Sequence, residues 1–207
     1  MKDINFKEVL LKPIFKGNPV TVLVLGICSS LAVTVQLKGA FVMALSVIVV
    51  TGLSSFVVSI IRNSIPNRIR IIVQLVVVAL MVILVDQFLK AYSYSISKTL
   101  SVYVGLIITN CIVMGRIEAY ALGNKPIPSL LDGLANGAGY AIILIAVAFI
   151  RELLGSGTLF GIRIIPESFY ATGYMNNGLI ILPPMALIIL GLIVWIQRSI
   201  QKDLQEK

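Results

Sequence analysis

Leu25-Gly26-Ile27-Cys28-Ser29-Ser30 and Ile108-Thr109-Asn110-Cys111-Ile112-Val113-Met114-Gly115-Arg116 decide how this chain reads. They hold its only two cysteines, each near the middle of a hydrophobic segment long enough to cross a bilayer. From Pro19 to Cys28, and from Leu100 to Cys111, is about ten residues; at about 1.5 Å per residue that is roughly 15 Å, half of an approximately 30 Å hydrocarbon core. The spacing predicts two thiols at one depth, close to the midplane.

Working outward, the whole composition agrees with a membrane setting. Of 207 residues, 58% are hydrophobic and 13% charged, and the mean hydropathy is +0.99. That places the chain in the polytopic membrane class, since a soluble core does not need so much apolar surface. The net charge of +8 is scattered in ones and threes between apolar runs. It forms no stripe for nucleic acid and reads as topological. There is no histidine, which excludes imidazole catalysis and His-ligated metals from this chain by itself. Met1 to Asn18 alternates charge with hydrophobe, so no cleavable signal peptide is expected.

The apolar runs predict six spans, near 19–36, 40–61, 71–89, 100–116, 138–154 and 179–196. Residues 1–18 interleave Lys2, Lys7, Lys12 and Lys16 with Ile4, Phe6, Val9 and Leu10. That pattern fits an interfacial segment and equally a solvated basic tail. Asn18-Pro19 is a helix-start signal, whereas Gly26, Cys28, Ser29 and Ser30 mark a packing site or a break in the span that follows. Six spans leave both termini on one side. The termini and loops on that side carry 12 Lys and Arg (Lys2, Lys7, Lys12, Lys16, Arg62, Arg68, Arg70, Arg116, Lys125, Arg198, Lys202 and Lys207), against 5 in the opposite connections, Lys38, Lys90, Lys98, Arg151 and Arg163. The bias predicts cytoplasmic N- and C-termini, with Trp195, Tyr92 and Tyr94 at the interfaces.

Two units of three spans, each opening on a cysteine-bearing span, must run in opposite directions. The expected fold is therefore an all-α polytopic membrane protein of two inverted three-helix repeats, 19–96 and 97–197, in one membrane domain with a tail at 198–207. The first helix of each repeat is expected to be broken or re-entrant.

From spacing alone, Cys28 and Cys111 remain open to metal ligation, an intramembrane disulfide or simple packing. If a metal is present, soft thiolates without histidine favour zinc or an iron-sulfur cluster. A closed site takes about four such ligands, so a second chain has to bring the rest. Asp86 is expected to be a near-interface carboxylate satisfied by Lys90 one turn on or by water, rather than part of an ion path. Arg116 with Glu118, and Arg151 with Glu152, read as pairs at membrane boundaries or subunit contacts. Gly133-Leu134-Ala135-Asn136-Gly137 matches a GxxxG packing pattern at the edge of a span, a weak signal. Ser156-Gly157-Thr158 is assigned to a turn rather than to covalent flavin attachment. No glycine-rich phosphate loop follows a strand, so nucleotide binding belongs to another chain.

Val24 to Thr34, Ile69-Arg70-Ile71-Ile72-Val73-Gln74, Val85-Asp86-Gln87-Phe88-Leu89-Lys90, Leu106 to Arg116 and Arg151-Glu152-Leu153-Leu154-Gly155-Ser156-Gly157 together resemble the NqrDE/RnfAE family over essentially the whole chain. Ile61 to Asn67 and Ser101 to Gly105 look more like its NqrD branch, in the Na⁺-translocating NADH:quinone oxidoreductase, than RnfE, the related protein of the Rnf electron-transport complex. The resemblance implies a translocase subunit of the bacterial inner membrane, not catalytic alone, paired with the homologous NqrE of opposite topology. It further implies contact with NqrA, NqrB, NqrC and NqrF. Cys28 and Cys111 would hold half of an intramembrane [2Fe-2S] cluster, NqrE bringing two more cysteines. Electrons from NADH would pass through it toward ubiquinone, coupled to Na⁺ export. The alternatives are RnfE or a secondary ion transporter module.

Overall fold

The computed structural model describes residues 17–66, 68–92, 103, 105–159, 162–163 and 178–200. In chain order its helices are α1 (Ile27–Val33), α2 (Leu37–Ile61), α3 (Arg70–Tyr92), α4 (Cys111–Arg116), α5 (Pro126–Ser156) and α6 (Pro183–Ile200). A π-helical turn, Ile117–Ala121, extends α4, and 3₁₀ turns occupy Arg62–Ser64 and Gly178–Ile181. A small antiparallel ladder pairs β1 (Thr158–Leu159) with β2 (Ile162–Arg163). Among the described residues four helices, α2, α3, α5 and α6, are long and apolar enough to cross a membrane. The expected spans 19–36 and 100–116 are not continuous helices, because the chain takes positive φ at Val24 and Gly26 and leaves the helix at Thr109-Asn110. The segments around Tyr94 and Lys98, residues 1–16 and the tail with Lys202 and Lys207 lie outside the described residues.

The core is the antiparallel pair α2 and α5. Small residues of α2, among them Ala40, Ala44, Thr51, Gly52, Ser54 and Ser55, are buried, while Phe41, Leu45, Leu53 and Ile60 point outward. This is the membrane pattern: with lipid as apolar as leucine, small residues that let backbones approach decide which face meets another helix. A Cβ on Gly133 would lie 2.8 Å from the Thr51 carbonyl oxygen, and one on Gly137 would lie 2.9 Å from Ile48 Cα. The GxxxG pattern expected at a span edge is thus the seam of the fold. Correspondingly, the fifth span starts at Pro126 rather than near 138. Asp132, outside the expected span, accepts from Arg116 at 2.6 and 2.9 Å and from Asn136 Nδ2 at 3.1 Å. A carboxylate so paired can sit inside a helix bundle.

On α3 the buried stripe is Gln74, Val78, Val82 and Asp86, one residue every four. Its two polar members therefore face protein while Ile71, Val76, Leu80 and Leu84 face outward. Asp86 accepts from Lys90 at 2.6 Å, the pairing its spacing predicts. Gln74 Nε2 donates to Glu118 at 2.7 Å, and Arg70 also pairs with Glu118. The neighbouring acidic and basic residues thus serve different partners: Arg116 takes Asp132, and Glu118 takes Arg70 and Gln74. Residues one or two apart on a helix do not face each other. Arg151 is fully buried and donates to Leu31 O at 3.3 Å, Thr34 Oγ1 at 2.5 Å, Ile180 O at 3.3 Å and Ile181 O. Glu152 Oε2 accepts from Leu37 N–H at 2.5 Å, fixing the start of α2. Helix α5 ends at Ser156, capped by Gly157 left-handed at φ 65, and β1 begins at Thr158, so of the three residues assigned to a turn only Gly157 lies outside helix and strand. Outermost is α6, which buries only Ala186 and Leu190 and exposes Trp195.

Candidate metal-ligating site

The helix expected to start at Asn18-Pro19 does not form: the chain makes one turn there and no helix begins before Ile27. Asn18 Oδ1 accepts from Val20 N–H at 3.0 Å, and a turn closes with Val22 N–H on Asn18 O at 3.0 Å. The chain then takes positive φ at Val24 (57°) and at Gly26 (82°). A β-branched residue in that region is strained, and Gly26 is the residue type that tolerates it. Helix α1 begins at the next residue, with Cys28 in its first turn. The second cysteine repeats the arrangement by other means. Residues 105–108 are helical, the chain breaks at Thr109-Asn110, and Asn110 caps α4 by accepting from Ile112 N–H at 3.1 Å. Cys111 is the first residue of that helix.

The two breaks are brought together. Ser29 Oγ donates to Gly26 O at 3.0 Å and lies 2.8 Å from the Tyr140 hydroxyl, and Asn110 Nδ2 donates to Ser29 Oγ at 3.4 Å. Asn18 Nδ2 adds a bond to Gly139 O at 3.0 Å. Tyr140 sits at the middle of the 31-residue α5, so both cysteine turns start level with the centre of the longest helix. From that level α1 runs toward the end where Leu37 meets Glu152. The α4 segment runs toward the other end, where Ser59 and Arg62 donate to Asn124 O at 2.6 and 2.5 Å. Two half-helices thus leave one depth in opposite directions.

Both thiols are free and exposed on the outside of the chain. They line one recess together with Gly26, Ser29, Leu106, Thr109 and Asn110. At about 20 Å³ the recess holds roughly one water. Any larger group has to sit in front of the sulfurs, against whatever covers this face. Among the described residues no group of three or more His, Cys, Asp and Glu side chains is placed to hold a metal. The chain offers a pair of soft donors and no more, which fits half of a zinc or iron-sulfur site.

Two further residues of the site, Asn110 and Tyr140, do not stand out as functional in the sequence. Asn110 is legible there as an N-cap immediately before a cysteine. Tyr140, an aromatic among Gly137, Gly139 and Ala141, carries no chemical signal until the fold puts it beside Ser29. Gly26 also has neighbours. A Cβ there would lie 2.7 Å from Ile112 Cδ1 and 3.0 Å from Tyr140 Cε2. Gly26→Ala therefore combines about 1–2 kcal/mol of left-handed backbone strain with about 1–3 kcal/mol of overpacking. The expected result is a clear fall in the melting temperature of the detergent-solubilised chain, and a wild-type melt would show that the turn relaxes freely.

The profile of the family described as Rnf-Nqr subunit, membrane protein, matches residues 6–194. A protein of Aeromonas hydrophila subsp. hydrophila, named as the D subunit of Na(+)-translocating NADH-quinone reductase, is 58% identical over 191 residues, covering 92% of this chain and 91% of its own. Its namesake from Haemophilus influenzae is 56% identical over 203 residues, 98% of both chains. That from Yersinia pestis is 54% identical over 203 residues, 98% of this chain and 97% of its own. With a family profile spanning nearly all of the sequence and relatives matched almost end to end, the chain belongs to the Rnf-Nqr subunit family of membrane proteins.

Proposed function

We propose that this chain is a membrane electron-relay subunit of a Na⁺-translocating NADH:ubiquinone oxidoreductase, and that Cys28 and Cys111 supply half the ligands of an intramembrane [2Fe-2S] cluster. The observation that carries this reading is the pair of exposed thiols lining one recess level with the middle of α5. Two thiols at the depth of lipid tails, on the outer face of the chain, make chemical sense where a second protein covers them. Thiolate charge in hydrocarbon is costly unless a metal shares it. When bound, the cluster supplies one-electron transfer half-way through the bilayer. The chain's own residues hold the two sulfurs, keep them off the water boundaries and leave their outer side open to the sister protein.

In this reading the remaining ligands come from two cysteines of the homologous NqrE, and NqrA, NqrB, NqrC and NqrF complete the enzyme. The opposite departure of α1 and α4 from one level, and the antiparallel course of α2 and α5, support an architecture of two inverted repeats, each a broken helix followed by two spans. The bias of Arg and Lys supports cytoplasmic termini in a bacterial inner membrane. The names carried by relatives from Aeromonas, Haemophilus and Yersinia support the NqrD branch over RnfE.

The experiment is an EPR spectrum of the dithionite-reduced complex with and without Cys111→Ser. The expected result is a [2Fe-2S] signal in the wild type that is lost or altered in g-values in the variant. An unchanged spectrum at full iron content sinks the ligand assignment.

A further inference from the structure

We propose that Tyr140 sets the separation of the Cys28 and Cys111 sulfurs, as a positioning residue acting through Ser29 and Asn110; the inference rests on reading the two cysteines as a ligand pair. A serine hydroxyl has one proton to donate and two lone pairs to accept with. Ser29 Oγ gives its proton to Gly26 O at 3.0 Å, so the Tyr140 hydroxyl at 2.8 Å must donate to it, and Asn110 Nδ2 donates at 3.4 Å. Its hydrogen-bonding capacity is then filled, each bond tying it to a different piece of the site. Gly26 is the cap of the Cys28 helix and Asn110 the cap of the Cys111 helix. Ser29 directly follows one cysteine and Asn110 directly precedes the other.

The third tie makes the arrangement a gauge. Tyr140 is fully buried, and its ring crowds the place a Gly26 Cβ would take, with Cε2 only 3.0 Å away. It stands on α5, which the close approach of Gly137 to Ile48 locks against α2. The two cysteine turns come from distant parts of the chain, and this one phenol, anchored to the rigid seam, holds their shared hydrogen-bond junction. Such a bond is strong in a low-dielectric interior. Without the hydroxyl the turns keep their backbone caps and lose their common post.

The test reads the sulfurs directly. Dibromobimane, which fluoresces once both of its arms have alkylated thiols, is applied to the metal-free full chain in detergent micelles. Tyr140→Phe is expected to lower the yield of the Cys28–Cys111 crosslink about fivefold, the population change that follows loss of one net hydrogen bond. In the assembled complex the same variant is expected to keep its iron while the EPR line shape and reduction potential shift. Tyr120→Phe, outside the junction, is expected to leave crosslinking and spectrum as in the wild type. Equal crosslinking and an unchanged spectrum in Tyr140→Phe overturn the proposal. Should Tyr140→Phe fail to fold, Ser29→Ala is read by the same two measurements with the same expected changes. If the wild-type complex holds no iron at these cysteines, the ligand reading falls, and crosslinking alone decides the role of Tyr140.

Discussion

Cys28→Ala and Cys111→Ala are each expected to lower NADH-driven quinone reduction by at least about 100-fold, because even changes to the partners of metal ligands cost about 10–100-fold. On the proposed ligand assignment each removes one of the sulfurs that hold the cluster, so iron content is expected to fall with activity rather than partition from it. The measurement is quinone reduction together with iron per complex, on preparations shown by native electrophoresis to be fully assembled. The alanine fits sterically: both thiols are exposed at the start of short helices and neither belongs to the packed core. Loss of activity in an assembled complex is then a chemical effect. Normal turnover with full iron in either variant would leave the chain a scaffold or an ion-conducting module, and the latter would carry Na⁺ in liposomes without NADH.

Gly137→Leu is expected to cost about 3–5 kcal/mol, at the severe end of core overpacking. The obstacle is backbone: a Cβ alone would lie 2.9 Å from Ile48 Cα, and Gly133 one turn earlier is equally close to Thr51 and Gly52. The helices have to separate to admit the leucine side chain, and with them goes the close packing that holds membrane helices together. Gly191→Leu on α6 is the matched control, since nothing lies within 4 Å of the added Cβ. The expected outcome is that little Gly137→Leu chain is recovered from membranes and that its melt in detergent is shifted far down, while Gly191→Leu behaves as wild type. Equal recovery of both would mean the α2–α5 seam is not what stabilises the bundle.

Apolar length alone locates α2, α3 and α6 to within a few residues, because bilayer thickness is a strong constraint on helix length. The break at Cys28 is signalled by Gly26 and by the small polar run through Ser30, and that at Cys111 only by Asn110 as an N-cap. What no local pattern reveals is pairing at a distance. The expected span near 138–154 leaves out Asp132 and Asn136, whereas in the fold Arg116 neutralises the Asp132 carboxylate from another helix. Arg151 and Glu152 look like a boundary pair until the helix turns them to different partners, the carbonyls of Leu31 and Ile180 and the N–H of Leu37. The joint recess of the two thiols is equally out of reach: equal depth follows from counting residues, whereas a shared recess depends on how the two half-helices pack.

Arg151 also constrains how the protein is made. Its hydrogen-bond acceptors come from Leu31 and Thr34, synthesised long before it, and from Ile180 and Ile181, synthesised after it. When α5 first leaves the ribosome, a guanidinium near its end has only the earlier half of its binding cage. A polypeptide truncated before Ile180 is therefore expected to leave the buried guanidinium short of two acceptors and to be recovered from membranes at lower yield than the full chain.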